Sequence, residues 1–172
     1  MANQPSSSGA QFDLKVPDGD DRARQVCSTC GFINYVNPKI VVGTVALQDG
    51  KVLLCKRAIE PRRGFWTLPA GYLEERETVE DGARREAREE ANATIDLHGI
   101  LAIYSIPRIS QVQIMFHGAV VGPVSPGPES EAVELFPWDD IPWQELAFPS
   151  VHWALTHFRQ MQAGAVAPFS NP

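Results

Sequence analysis

The chain has 172 residues, of which 44% are hydrophobic, and its 15 Lys and Arg against 21 Asp and Glu leave a net charge of −6. That composition excludes wholesale disorder, the length suits one domain with a sizeable core, and the acidic balance argues against binding a nucleic-acid backbone. With no apolar run of about eighteen residues, no secretory start and only three cysteines, the expectation is a cytoplasmic protein that spans no membrane.

Residues 1–15 begin with a polar, Ser-rich stretch and are expected to be a flexible tail. Residues 16–36 form a short unit around Cys27-Ser-Thr-Cys30-Gly31, and Asn37-Pro38 is a turn signal that opens the body, residues 37–163. Lys39 to Gln48, rich in Val and Ile, predicts a strand, Asp49-Gly50 a hairpin turn, and Lys51 to Arg57 the returning strand. A charged loop from Ala58 to Gly64 precedes the short apolar segment Phe65 to Pro69. Thr78 to Ala91 predicts a helix. Thr78 and Asp81 stand at its start as a variant capping box, and Gly82 costs it about 1 kcal/mol relative to Ala. Thr94 to Ile106 and Ile109 to Val121 read as strands broken at Pro107, followed by a Pro- and Gly-rich loop from Gly122 to Pro128. Ala132 to Trp138 is a further strand and Phe148 to about Met161 a last helix, with residues 164–172 an irregular C-terminal tail. The pattern predicts an α/β protein, a mixed sheet with helices packed on it.

The chemistry concentrates between Gly71 and Ala93. On a helix, Glu86 and Glu90 lie about 40° apart and Glu89 about 60° to the other side of Glu86, so three carboxylates crowd one face. Like charges at these spacings repel by roughly 0.2–0.5 kcal/mol per pair, a sign that a hard divalent cation with oxygen ligands would reverse. Arg85 borders the trio and can pair with Glu89 or with Glu77, and the small backbone at Ala70-Gly71 allows close approach of a ligand. Composition alone is also compatible with a solvated, salt-bridged helix face.

The spacing separates the two readings, because it resembles the Nudix box, the loop–helix signature of hydrolases acting on nucleoside diphosphates linked to another group. Gly71, Glu77, Arg85, Glu86, Glu89 and Glu90 match six of its seven fixed identities. The seventh calls for Gly where this chain has Asn92, the side chain that best tolerates a left-handed helix end. Asn37 to Gly43, Lys51 to Arg57, Trp66 to Gly71 and Pro126 to Ser130 extend the likeness to a branch that includes FAD and ADP-ribose pyrophosphatases. The resemblance implies an α/β/α sandwich with a mixed sheet and a Mg²⁺- or Mn²⁺-dependent pyrophosphatase of small nucleotides. It makes Glu86, Glu89 and Glu90 metal ligands, joined by the Ala70 carbonyl, with Glu89 also catalytic. It makes Arg85 and Glu77 the ion pair that orients them. A general base is expected from a loop after the box; Glu129, Glu131 and Glu134 are the acidic candidates, with Glu129 preferred. Dimers are common in that branch, so a homodimer is compatible with the resemblance.

Cys27-x-x-Cys30-Gly31 looks like half of a zinc-ribbon knuckle. The earlier Cys-x-x-Cys-Gly of related sequences corresponds here to Pro5-Ser-Ser-Ser8-Gly9, and a closed zinc site needs four ligands, so the segment reads as a degenerate ribbon without zinc. Phe65, Trp66, Tyr72 and Tyr104 are candidates to stack an adenine or flavin ring, against the alternative of core packing. ADP-ribose and FAD lead as substrates. The competing reading is a Nudix-fold module that senses a nucleotide without cleaving it, but such proteins lose box carboxylates and this chain keeps all of them.

Overall fold

The computed structural model describes residues 11–172, and the Ser-rich stretch read as the start of a tail lies outside them. The chain divides after Asn37 into an N-terminal unit and a larger unit running from Pro38 to Pro172.

The N-terminal unit is a three-stranded antiparallel sheet of β1 (Phe12–Lys15), β2 (Arg24–Cys27) and β3 (Ile33–Asn34) in that order. The sequence reading placed residues 12–15 in the tail. The structure instead pairs them with Arg24 to Cys27, because β2 offers four consecutive partners to the extended chain. Arg24 links this sheet to the turn before it through Asp20 at 2.9 Å and lies over the Tyr35 ring at 5.3 Å.

In the larger unit, β4 (Lys39–Gln48) and β5 (Lys51–Arg57) meet at a hairpin whose turn residues Asp49 and Gly50 both have positive φ, 50° and 76°, as a primed turn requires. The short strands β6 (Trp66–Thr67) and β7 (Ala70–Tyr72) pair with β5 and β4. Helix α1 (Val79–Ala91) then leads to β8 (Thr94–Ile106), β9 (Gln111–Val121), β10 (Ser130–Phe136) and helix α2 (Pro149–Gln162). The break expected at Pro107 is a 3₁₀ turn, Pro107–Ile109, which delays the start of β9 to Gln111. The sheet order is β10-β5-β4-β9-β8. β4 and β9 run parallel and the other pairs antiparallel, so the sheet is mixed.

Strand periodicity sorts the core into two layers. Val45, Val52, Leu54 and Met115 pack with Val151, Ala154, Leu155 and Phe158 of α2. Their neighbours Ala46, Leu53 and Cys55 pack with Ala87 and Ala91 of α1, and Val42 and Phe116 pack with Ala83. The result is the expected α/β/α sandwich. The apolar contacts of α1 are made by Ala83, Ala87 and Ala91, small residues that bring its axis close to the sheet and bury Glu86 and Glu90 with it. No helix among the described residues is long and apolar enough to cross a membrane.

Candidate active site

Helix α1 is fixed at both ends. At its N-terminus the Thr78 hydroxyl accepts from the Asp81 amide at 3.1 Å, while the Asp81 carboxylate turns to Arg84 at 3.4 Å, so one half of the capping box forms. At its C-terminus Asn92 is left-handed, with φ 47°, and its backbone amide returns to the carbonyls of Ala87 and Arg88. The Asn92 side-chain amide also donates to the Ser125 carbonyl, the Ser125 hydroxyl and the Pro126 carbonyl at 3.3, 3.1 and 3.0 Å. With the Ser125 and Gly127 amides bonded to the carbonyls of Ala91 and Glu90, the loop between β9 and β10 is clamped onto the end of α1. A Cβ on Gly127 would overlap the Glu89 carbonyl, so this contact needs glycine.

Gly82 has a reason for its place in the helix: a Cβ there would meet Leu73, Glu77 and Val42 within 2.9 Å. Gly71 is constrained likewise, since its Cβ would fall on the Glu86 carboxylate. Glycine at these two positions lets the loop, helix and β4 close around the acidic cluster.

Arg85 organises that cluster. Its Nε and Nη2 grip both Glu77 oxygens at 2.9 and 3.0 Å, its Nη1 reaches Glu86 at 2.7 Å and Glu89 at 2.9 Å, and its Nη2 also donates to the Tyr72 carbonyl at 2.9 Å. A guanidinium has five N–H donors, and here five bonds use them. The pairings with Glu77 and Glu89, read from sequence as alternatives, form together. The Glu77 carboxyl is held below its usual range by Arg85, with burial opposing.

The three candidate ligands differ in surroundings. Glu89 is exposed, whereas Glu86 and Glu90 are only 8% and 6% accessible. Burial pushes Glu86 upward against the pull of Arg85. Glu90 is pushed up to about 8, chiefly by burial and further by Glu86 and Glu129, against a bond from the Ala70 amide at 3.2 Å and the charge of Arg57. As the side chains stand, no three His, Cys, Asp or Glu among the described residues converge as a metal cage. Arg85 occupies oxygens of Glu86 and Glu89, and Glu90 faces Ala70. The donor set nevertheless fits a hard divalent cation: three carboxylates on adjacent turns, of which buried Glu90 has no cation in ion-pair range among the described residues.

Of the other acidic candidates, Glu131 is taken by Arg63 at 3.0 Å and Glu134 is exposed along β10. Glu129 lies where its charge bears on both Glu86 and Glu90. Two of the four rings weighed for stacking take the core alternative. Tyr104 is fully buried, its hydroxyl 2.8 Å from His157 Nδ1, and Trp66 packs edge-on against Phe136 at 4.8 Å. Tyr104 alternates inward on β8 between exposed Ile103 and Ser105. Tyr72 stays exposed at the site's rim, with Lys39 over its ring at 4.8 Å.

The profile of the NUDIX domain matches residues 37–157. The chain belongs to the Nudix family. The profile of the Nudix N-terminal zinc ribbon matches residues 6–36, in agreement with the ribbon-like reading of that segment. A NUDIX hydrolase from Nitrosomonas europaea superposes with a TM-score of 0.89 at 42% identity, covering 96% of each chain. A MutT NUDIX hydrolase from Burkholderia pseudomallei superposes at 0.63 with 27% identity, over 71% of this chain and 98% of its own. Among curated proteins, an ADP-ribose pyrophosphatase from Methanocaldococcus jannaschii is 33% identical over 119 residues, 66% of this chain and 69% of that protein. This Nudix chain is thus an enzyme, a hydrolase of a family that generally uses divalent metals.

Within the ribbon-like unit, the Cys27 thiol is held below its usual range by the backbone amides of Cys30 and Thr29, a knuckle geometry that favours the thiolate. The third cysteine, Cys55, is buried in the core of the other unit, where burial pushes its thiol well up. The stretch corresponding to the missing second knuckle lies outside the described residues.

Proposed function

We propose that this Nudix hydrolase cleaves the pyrophosphate bond of a nucleoside diphosphate linked to a second group, with ADP-ribose first and FAD second as substrates. Water adds to one phosphorus, the bridging P–O bond breaks, and two phosphomonoesters leave. The observation that carries this reading is the pair of buried carboxylates Glu86 and Glu90 beside exposed Glu89, all on one helix face steered by a saturated Arg85. Glu86, Glu89, Glu90 and the Ala70 carbonyl would hold Mg²⁺ or Mn²⁺. When bound, the metal neutralises diphosphate charge and acidifies the attacking water. Arg85 and Glu77 fix the rotamers of the carboxylates, and Gly71 leaves room for Glu86 against the backbone. Glu129 takes the proton from water, a role supported by its proximity to Glu86 and Glu90 and by the engagement of Glu131 elsewhere. The likeness to an ADP-ribose pyrophosphatase supports the order of substrates.

The test is incubation of the purified protein with Mn²⁺ or Mg²⁺ and, separately, ADP-ribose, FAD and NADH, with products identified by mass spectrometry. AMP with ribose 5-phosphate, or AMP with FMN, is expected. Release of AMP from none of the three by folded protein overturns the proposal.

A further inference from the structure

The knuckle of the N-terminal unit has no part in the chemistry of α1. Cys27 ends β2 and Cys30 follows in the turn to β3; both thiols are free, and they lie within hydrogen-bonding reach of each other. Hydrogen bonds fix the turn that joins them. The Cys27 carbonyl accepts from the Gly31 amide at 3.0 Å, and the Cys27 amide donates to the Phe32 carbonyl at 2.8 Å. The Ser28 amide and hydroxyl both donate to the Gln11 carbonyl, at 2.9 and 3.0 Å. Gly31, left-handed at φ 74°, turns the chain back toward β3.

A closed zinc site takes four ligands. Residues 1–37 hold no His and no further Cys, and among the described residues no third His, Cys, Asp or Glu joins this pair. Cys55 is enclosed in the core of the other unit with Ala46, Leu53 and Ala87, so it offers no sulfur for exchange. The two knuckle thiols differ as exchange chemistry requires. Cys30 is exposed and open to a dissolved disulfide, whereas Cys27 is only 6% accessible and shielded from one. The amides of Thr29 and Cys30 donate to the Cys27 sulfur, which stabilises its thiolate. A thiolate so placed attacks within the turn when the pair closes, and leaves readily when the pair opens.

We propose that Cys27 and Cys30 are a reversible dithiol–disulfide site that exchanges with low-molecular-weight disulfides of the glutathione type. The Cys30 thiolate attacks one sulfur of the dissolved disulfide, RSSR, and expels RS⁻. The Cys27 thiolate then attacks the Cys30 sulfur of the mixed disulfide and expels the second RS⁻. The protein loses two electrons to RSSR, the two thiol protons pass to the expelled thiolates, and two RSH result. Reduction runs the same steps backwards, with Cys27 as the leaving thiolate. The site is independent of the pyrophosphatase reading.

The test equilibrates the reduced full chain, without oxygen, in equal concentrations of reduced and oxidised glutathione. Thiols are then trapped with N-ethylmaleimide in denaturant and read by intact mass and peptide mapping. Two of the three thiols are expected to be lost, with Cys27 joined to Cys30 and Cys55 still free, and an excess of reduced glutathione should restore both. Cys27→Ser, which lacks the resolving thiolate, is expected to stop at one glutathionyl group on Cys30. Three free thiols in wild type overturn the proposal, and so does a bond that joins Cys27 or Cys30 to Cys55 or to a second copy. Thiols that react only after chelation, on protein purified with about half a zinc per chain, would make the pair a metal site shared between copies and overturn it as well. Should Cys27→Ser fail to fold, the wild-type peptide map decides alone.

Discussion

At Glu90, burial and charge pull in opposite directions. The carboxyl is surrounded by protein and stabilised by one amide, so its folded value of about 8 lies above the 4.5 of the free side chain. A raised folded value means that its contribution to stability is fully present below about 4.5 and is lost as the pH rises through about 8. Glu90→Gln removes the penalty. With chelator present, its melting temperature should match wild type at pH 5 and exceed it by several degrees at pH 9; a difference that does not change with pH would contradict this. Asn92 makes a second residue-scale case. Its left-handed backbone suits Asn or Gly, and its amide ties down the loop that carries Glu129. Asn92→Gly should lose about 0.5–1 kcal/mol through the tether, and Asn92→Ala about 1–2 kcal/mol more through backbone strain. Denaturant unfolding checks the order, and an alanine variant as stable as wild type would refute it.

At the scale of elements, the local signals proved legible. The Val- and Ile-rich run ending at Asp49-Gly50 is the β4–β5 hairpin, and Thr78 to Ala91 is α1 with Thr78 as its cap. What escaped the sequence depends on distant partners. β7 is three residues paired with β4, and β1 is a strand through its register with β2. The C-terminal tail, read as irregular, is irregular but docked. Phe169 exchanges backbone bonds with Leu101 and Ile103 along the outer strand β8 and stacks on His157 at 4.6 Å, and Asn171 bonds Ser105 in both directions. Edge strands left open invite pairing between chains. Truncation after Ala165 should therefore lower the melting temperature by about 5–10 °C and promote aggregation on heating, since each kcal/mol is worth about 2–4 °C at this size. A truncated chain that melts like wild type would show that the tail does not protect this edge.

Over the whole molecule, chemistry was easier to read than its environment. Six box identities located the acidic face, because helical spacing converts directly into geometry. The same pattern could not show that Glu86 and Glu90 are buried while Glu89 is not, or that Arg85 uses all five donors. Those facts arise where α1, β5, β7 and the loop before β10 meet. The ribbon-like unit makes the complementary point: Cys27 and Cys30 supply two ligands, residues 1–37 contain no His, and Cys55 is buried in the other unit. Purified protein should therefore carry far less than one zinc per chain by elemental analysis; one equivalent, lost in Cys27→Ser, would contradict that expectation.

The central claim is that the carboxylates of α1 hold a divalent cation, and titration with Mn²⁺ followed by electron paramagnetic resonance tests it most directly. Wild type should take up Mn²⁺ to saturation. Glu89→Gln and Glu90→Gln should each bind it at least about tenfold more weakly and lose turnover by orders of magnitude while keeping their fold. Undiminished Mn²⁺ affinity in a folded variant with Glu86, Glu89 and Glu90 all changed to Gln would contradict the account.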